Sequence, residues 1–235
     1  MPGRIVFVAG AGGAIGRVLC RLLVADGWRV TGTTRSEAKA ADLRRIGVEP
    51  VVVDVFDREA LISAVRAATP QAVIHQLTDL PKENTPEAMA EGRARNAKIR
   101  EVGTANLVAA AIAAGAKRLV AQSIAFAYSP GPKPYSEESP LDPSARAVAK
   151  LEALTLGGPF EGIVLRYGRL YGPNTWTPVA AGDGPVHVDA AADAARRAVT
   201  RGAPGIYNVA EEDGTVSSAK ARTLLAWKPD FRAKT

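Results

Sequence analysis

Cysteine is almost missing: Cys20 stands alone in 235 residues, which excludes an internal disulfide and any cysteine cluster for zinc. Its place in an apolar helical stretch reads as a small buried hydrophobe, not a nucleophile. Histidine is nearly as scarce, with only His75 and His187, so no metal site is expected. Long apolar runs are missing as well. None approaches the roughly 20 residues of a helical membrane span, and no basic-then-apolar leader precedes the first strand, so the expectation is a cytoplasmic protein without a membrane partner. There is no internal repeat and no low-complexity tail. Basic residues outnumber acidic ones, 30 to 24, for a formal charge of +6. They are mixed with acids, as in Arg44-Arg45, Arg93 to Arg100 and Arg196-Arg197, and aromatics make up only 6%. Without a basic tail or interleaved stacking residues, the expected partner is a small molecule and not nucleic acid. With 47% hydrophobic residues, the chain can bury one substantial core, so residues 1–235 are read as a single domain.

What the chain has is glycine in a telling place. Gly10, Gly13 and Gly16 fall where an apolar strand at 5–9 meets a helix at 14–26, whose Ile15, Val18, Leu19, Leu22 and Leu23 recur at helical spacing. Residues without side chains allow a tight turn there and close approach of backbone N–H groups to a pyrophosphate, while the helix N-terminus adds partial positive charge. Gly10, Gly13, Ala14, Ile15 and Gly16 are therefore candidate cofactor-binding residues. A second strand at 28–33 ends in Thr34-Arg35-Ser36, without the Asp or Glu that would accept hydrogen bonds from the ribose hydroxyls of NAD. A guanidinium can grip a 2′-phosphate, so Arg35, with Ser36 and Lys39 assisting, points to NADP(H) in preference to NAD(H).

Further apolar strands follow at 48–53, 71–76 and 117–122, separated by helical stretches at 59–67 and 86–114. The alternation implies parallel pairing with right-handed crossovers, an α/β, Rossmann-like doubly wound sheet. Ligands in such sheets bind beyond the carboxyl ends of the strands, which gives weight to Asp54, Val55, Gln76, Leu77, Thr78 and Ser123. Residues 125–143 read as a loop over the site. Then come a helix at 144–156, a strand at 162–166, a turn-rich stretch through 171–178, a helix at 189–201, a strand at 206–209 and a short helix at 217–226. The long 86–114 helix leaves a homodimer open as an arrangement.

These landmarks resemble the extended and atypical short-chain dehydrogenase/reductases, the NAD-dependent epimerase/dehydratase group, over essentially the whole chain. The glycine run looks like their cofactor loop, Asp54-Val55 like their adenine-contacting pair, and Val73-Ile-His-Gln-Leu77 like the strand bordering the nicotinamide ribose. Asn106-Leu-Val-Ala-Ala110, Leu165-Arg-Tyr-Gly-Arg-Leu-Tyr-Gly-Pro173, His187-Val-Asp189 and Tyr207-Asn-Val209 match later elements. The resemblance implies a catalytic Tyr and, after three intervening residues, a Lys that depresses its pKa, with a Ser or Thr from the fifth strand. Aligning Lys150 with that lysine puts Arg146 at the tyrosine position, and counting back from Tyr128 puts Ile124 at the Ser/Thr position with Ser123 one residue earlier. Arg cannot serve as a base at ordinary pH. The candidate catalytic set is thus Ser123, Arg146 and Lys150, with Tyr135 and Tyr171 as replacement phenols and Lys150 also on the cofactor ribose. The region after Tyr171-Gly-Pro is short for the family, leaving 125–143 and 167–235 as a small substrate-binding part. The expected activity is NADP(H)-dependent reduction, oxidation or epimerisation of a small carbonyl or hydroxyl compound; the alternative is a dinucleotide-binding regulatory protein that has lost turnover.

Overall fold

The structure, a computed structural model, describes residues 3–81 and 85–233. Its strands are β1 (Ile5–Ala9), β2 (Arg29–Thr34), β3 (Glu49–Val52), β4 (Ala72–His75), β5 (Arg118–Ile124), β6 (Glu161–Tyr167), β7 (Arg169–Tyr171), β8 (Pro185–His187) and β9 (Gly205–Val209). The helices are α1 (Ala14–Ala25), α2 (Glu37–Arg45), α3 (Arg58–Ala68), α4 (Pro86–Lys98), α5 (Thr104–Ala113), α6 (Arg146–Leu156), α7 (Val188–Ala198) and α8 (Ala219–Leu224), with a π-helical stretch at Ile99–Gly103 joining α4 to α5. Seven strands form one parallel sheet in the order β3-β2-β1-β4-β5-β6-β9, and β7 pairs with β8 in a small parallel sheet. This is the doubly wound Rossmann-like fold expected. Among the described residues no helix is long and apolar enough to cross a membrane.

Both faces of the sheet are covered, so its central strands are apolar on both sides. Val6, Val8, Ile74, Val120 and Leu165 face α1 and α7, while Phe7, Ala9, Val73 and Leu119 face α3 and α5. Helix α7 carries a run of buried alanines, Ala190 to Ala192 and Ala194, Ala195 and Ala198, which lets it lie close against Leu19 and Leu23 of α1. The strand order reverses between β1 and β4, and the two loops that leave in opposite directions open a crevice at the carboxyl edge.

Three elements lay outside the sequence expectations. Helix α2 buries only Ala40 and Leu43 and so carries little apolar periodicity; Ser36 starts it by accepting a hydrogen bond from the Lys39 N–H at 3.4 Å. Strands β7 and β8 are three residues each, too short to show alternation within a turn-rich stretch. The 86–114 helix is continuous, with an irregularity at Ile99–Gly103.

Because Leu19 is fully buried in the seam between α1 and α7, Leu19→Ala is expected to cost about 2–5 kcal/mol, the range for emptying a packed leucine site. Urea denaturation measures it, and a loss below about 1 kcal/mol would mean that the seam collapses around the gap.

Candidate active site

The crevice is lined from four strand ends. The β1 turn contributes Gly10, Gly12 and Gly13; the β2 end contributes Thr34 and Arg35, with Lys39 from α2; Asp54 and Val55 follow β3; Gln76, Leu77 and Thr78 follow β4. Gly10 has φ of +88°, and a Cβ there would stand 2.5 Å from the Gln76 carbonyl oxygen. A Cβ on Gly16 would stand 2.2 Å from the Gly10 carbonyl oxygen, so only glycine lets α1 begin this close beneath the turn. The turn is tied to β2: the Gly10 N–H donates to Thr33 Oγ1 at 3.1 Å and the Ala11 N–H to the Thr33 carbonyl at 3.1 Å.

Helix α1 starts at Gly13 with no side-chain cap and no acid in its first turn. Its first N–H groups have no intrahelical acceptor, so they aim partial positive charge at the crevice. Asp54 accepts from the Phe56 N–H at 3.0 Å, and Asn106 of α5 donates to the Val55 carbonyl at 3.0 Å, which fixes the β3 side. At the β4 end, Gln76 is buried and its Nε2 lies 3.3 Å from the Tyr167 hydroxyl, while its Oε1 has no hydrogen-bond partner among the described residues. A glycine turn that tolerates no side chain, an uncapped helix start and an orphaned buried acceptor fit a dinucleotide laid across this edge.

Not every expected cofactor residue lines this crevice. Ile15 and Gly16 are buried in the first turn of α1, Ala14 is half-buried there, and Ser36 is occupied in capping α2. Lys150 is elsewhere. Together with Arg146 it is exposed, and neither makes a hydrogen bond or ion pair among the described residues. The buried stripe of α6 is Val148, Leu151, Glu152 and Thr155. At about 100° per residue, Arg146 and Lys150 fall roughly opposite it. Counting in sequence fixed a spacing but not a phase, and the inward pair four residues apart is Val148 and Glu152.

Glu152 is the centre of a buried polar network. Ser123 Oγ donates to Glu152 Oε1 at 2.7 Å, and Arg166 grips both carboxylate oxygens, Nε to Oε1 at 2.8 Å and Nη2 to Oε2 at 2.7 Å. Arg166 Nη1 also donates to the Tyr128 hydroxyl at 3.1 Å, which donates to Asn208 Oδ1 at 2.5 Å. Ser123, Arg166 and Asn208 stand side by side across β5, β6 and β9 in register, so one row of the sheet is polar. Tyr135 stacks on Tyr128 with ring centroids 5.0 Å apart. Ser123 and Tyr135 thus join through residues that composition did not single out; the signal in the sequence was an arginine inside the apolar run Gly162-Ile-Val-Leu-Arg166.

Tyr171 belongs to a different cluster. Its hydroxyl donates to Glu211 Oε1 at 2.6 Å and accepts from Arg232 at 3.0 Å, with the His187 ring edge-on at 5.1 Å. His75 is buried, its Nδ1 accepting from the Leu77 N–H at 3.2 Å and its Nε2 facing Thr104 Oγ1 at 3.0 Å. Burial pushes it down to about 4, so it is neutral near neutrality. Burial also raises the Tyr128 and Tyr167 phenols above their ordinary value.

Residues 10–188 match the model of a family described as NAD(P)H-binding, and the chain belongs to this Rossmann-type family. The chain is an enzyme, so the regulatory alternative is not retained. A Streptomyces 3-diazoavenalumate denitrifying reductase is 43% identical, over 95% of this chain and 83% of that protein. Among solved structures, a Thermus thermophilus UDP-glucose 4-epimerase in complex with NAD matches with a TM-score of 0.78 at 21% identity, over 97% of this chain and 95% of that one. The Bordetella bronchiseptica enzyme WbmG in complex with NAD matches at 0.79 and 17% identity, over 98% and 90%.

The expected preference for NADP(H) is corrected here. The similar structures named with a dinucleotide hold NAD. In this chain the Arg35 guanidinium, which was to hold a 2′-phosphate, is engaged by Asp79 at 3.3 Å.

Removing one partner of the buried ion pair leaves the other uncompensated. Glu152→Ala is expected to lower stability by about 3–5 kcal/mol, and Glu152→Ala with Arg166→Met to regain most of it. Denaturant titration of both variants checks this. Equal losses in the single and double variants would show that the pair is not the source.

Proposed function

We propose that this protein is an NAD(H)-dependent reductase that replaces a diazo-type nitrogen group on an organic acid with hydrogen, releasing dinitrogen. The observation that carries this reading is the inward face of α6, where Val148 and Glu152 stand and no phenol–lysine couple is present. A carbonyl substrate becomes an alkoxide on reduction and needs a proton donor. Here Ser123 has given its hydrogen to Glu152, and Tyr128 has given its hydrogen to Asn208. What the Ser123 hydroxyl retains are lone pairs, and the unpartnered Gln76 Oε1 adds another acceptor one strand away. An edge rich in acceptors suits an electrophile bearing positive charge, such as a diazonium ion, better than a carbonyl oxygen.

A bound nicotinamide dinucleotide would supply hydride, and with R–N₂⁺ the balance closes as R–H plus N₂, the C–N electron pair leaving with dinitrogen and no proton required. The residues proposed to hold the dinucleotide are Gly10, Gly13, Ala14, Ile15 and Gly16 through their backbone, Asp54 and Val55 at the adenine end, and Gln76, Leu77 and Thr78 at the β4 end. Ser123 and Tyr135 are proposed to border the substrate, in a part of the chain formed by 125–143 and 167–235. Exposed Leu80, Phe126 and Trp176, on loops that follow β4, β5 and β7, give that region apolar surface for a ring. The 43% identical Streptomyces denitrifying reductase supports the denitrifying reaction, and the polar network supports the absence of proton transfer.

The test is to mix the protein with NADH deuterated at the nicotinamide C4 and para-carboxybenzenediazonium, against a control without protein. Benzoate bearing one deuterium, formed in step with NADH loss and above the control, is the expected result. NADH oxidation with aldehydes or ketones and none above the control with the diazonium would return the reading to carbonyl chemistry.

A further inference from the structure

We propose that Asp79, on the loop after β4, is the carboxylate that selects NAD(H) over NADP(H) in this chain, a role that rests on reading the crevice as a dinucleotide site. The tip of β2 offers Thr34, Arg35 and Ser36 and no acid, so β2 itself cannot reject a 2′-phosphate. Asp79 brings the missing charge across from another strand. Its Oδ1 lies 3.3 Å from Arg35 Nη2, and its Oδ2 lies 3.5 Å from Arg95 Nε of α4. Arg35 and Thr78, the residue before Asp79, both line the crevice, so the pair lies at its β2 side.

The position of Asp79 is built and does not depend on the ion pair. Its backbone N–H donates to Oδ1 of buried Asn96 at 3.0 Å, and Asn96 Nδ2 donates to the Gly92 carbonyl at 2.8 Å. Two residues on, Pro81 packs so tightly on α4 that a Cβ at Gly92 would stand 2.7 Å from its Cδ. The Pro81 carbonyl accepts from Trp176 Nε1 at 3.0 Å. The Arg35 side chain is 59% exposed, and an ion pair so solvated adds little to folding. Its consequence is for ligands. A 2′-phosphate would have to take Arg35 from Asp79 and then sit beside an unneutralised carboxylate, whereas a ribose diol can donate to that carboxylate.

Calorimetric titration with NADH and with NADPH, on wild type, Asp79→Asn and Asp79→Asn/Arg35→Ala, tests the assignment. Asn keeps the backbone bond to Asn96, and unchanged melting confirms that the loop stays folded. The wild type is expected to bind NADH more tightly. In Asp79→Asn the NADPH affinity relative to NADH is expected to rise by about tenfold or more, equivalent to about 1.4 kcal/mol, and the double variant is expected to lose that gain. A ratio within about twofold of wild type in Asp79→Asn, or a wild type that prefers NADPH, overturns the role of Asp79 while leaving the dinucleotide site in place. A wild type that binds neither overturns the dinucleotide site itself.

Discussion

The start of α1 beneath the β1 turn is the contact on which the rest depends. With 2.2 Å between the Gly10 carbonyl oxygen and the place a Gly16 Cβ would occupy, the helix can come this close only without a side chain. That approach points the uncapped N–H groups of the first turn into the crevice between β1 and β4 and leaves their partial charge unspent. It also presents Leu19 and Leu23 to the alanine run of α7, so the face that stabilises the sheet and the turn that faces the ligand are set by the same placement. A larger residue at Gly10 or Gly16 would move both together.

Beyond that crevice, side chains of β5, α6, β6, β9 and the loop after β5 form a closed set of hydrogen bonds. Arg166 satisfies both oxygens of Glu152, Ser123 is committed to the same carboxylate, and Tyr128 is held between Arg166 and Asn208. Such a network is costly to leave half made and rigid once complete. It keeps its protons in place, which is a defect for making an alcohol and no defect for a reaction in which hydride alone balances the substrate's charge. The loop 125–143 is tied to the same network: the Asn208 N–H donates to Glu137 Oε1 at 2.8 Å, and the Tyr135 N–H donates to the Thr215 carbonyl at 2.8 Å. The wall of the proposed substrate region is therefore fixed from the sheet outward.

Much of the fold was legible because its signals are local. Strands of one apolar type alternating with amphipathic helices imply a parallel sheet, and three glycines at one strand–helix junction mark the turn before any contact is known. Helix α2 escaped because two buried residues in nine leave almost no period. The site was legible only where backbone decides it. Lys150 and Arg146 have the family spacing, but the face a helix buries depends on what it packs against, and α6 turns Val148 and Glu152 inward. Arg35 read as a free guanidinium because its partner, Asp79, is 44 positions away in sequence and arrives from another strand.

The central claim is hydride delivery without a titrating proton donor, and the most direct measurement is the pH dependence of the hydride step in single turnovers with the diazonium substrate. His75 lies at about 4, and the Tyr128 and Tyr167 phenols are raised above their ordinary value, so these groups keep one protonation state across the neutral range. A rate that stays flat between about pH 6 and 8 is the expected result, because His75, Tyr128 and Tyr167 neither gain nor give a proton there. A rate that changes about tenfold for each pH unit, tracing a single ionisation, would contradict it and mean that a proton donor or base takes part in the chemistry.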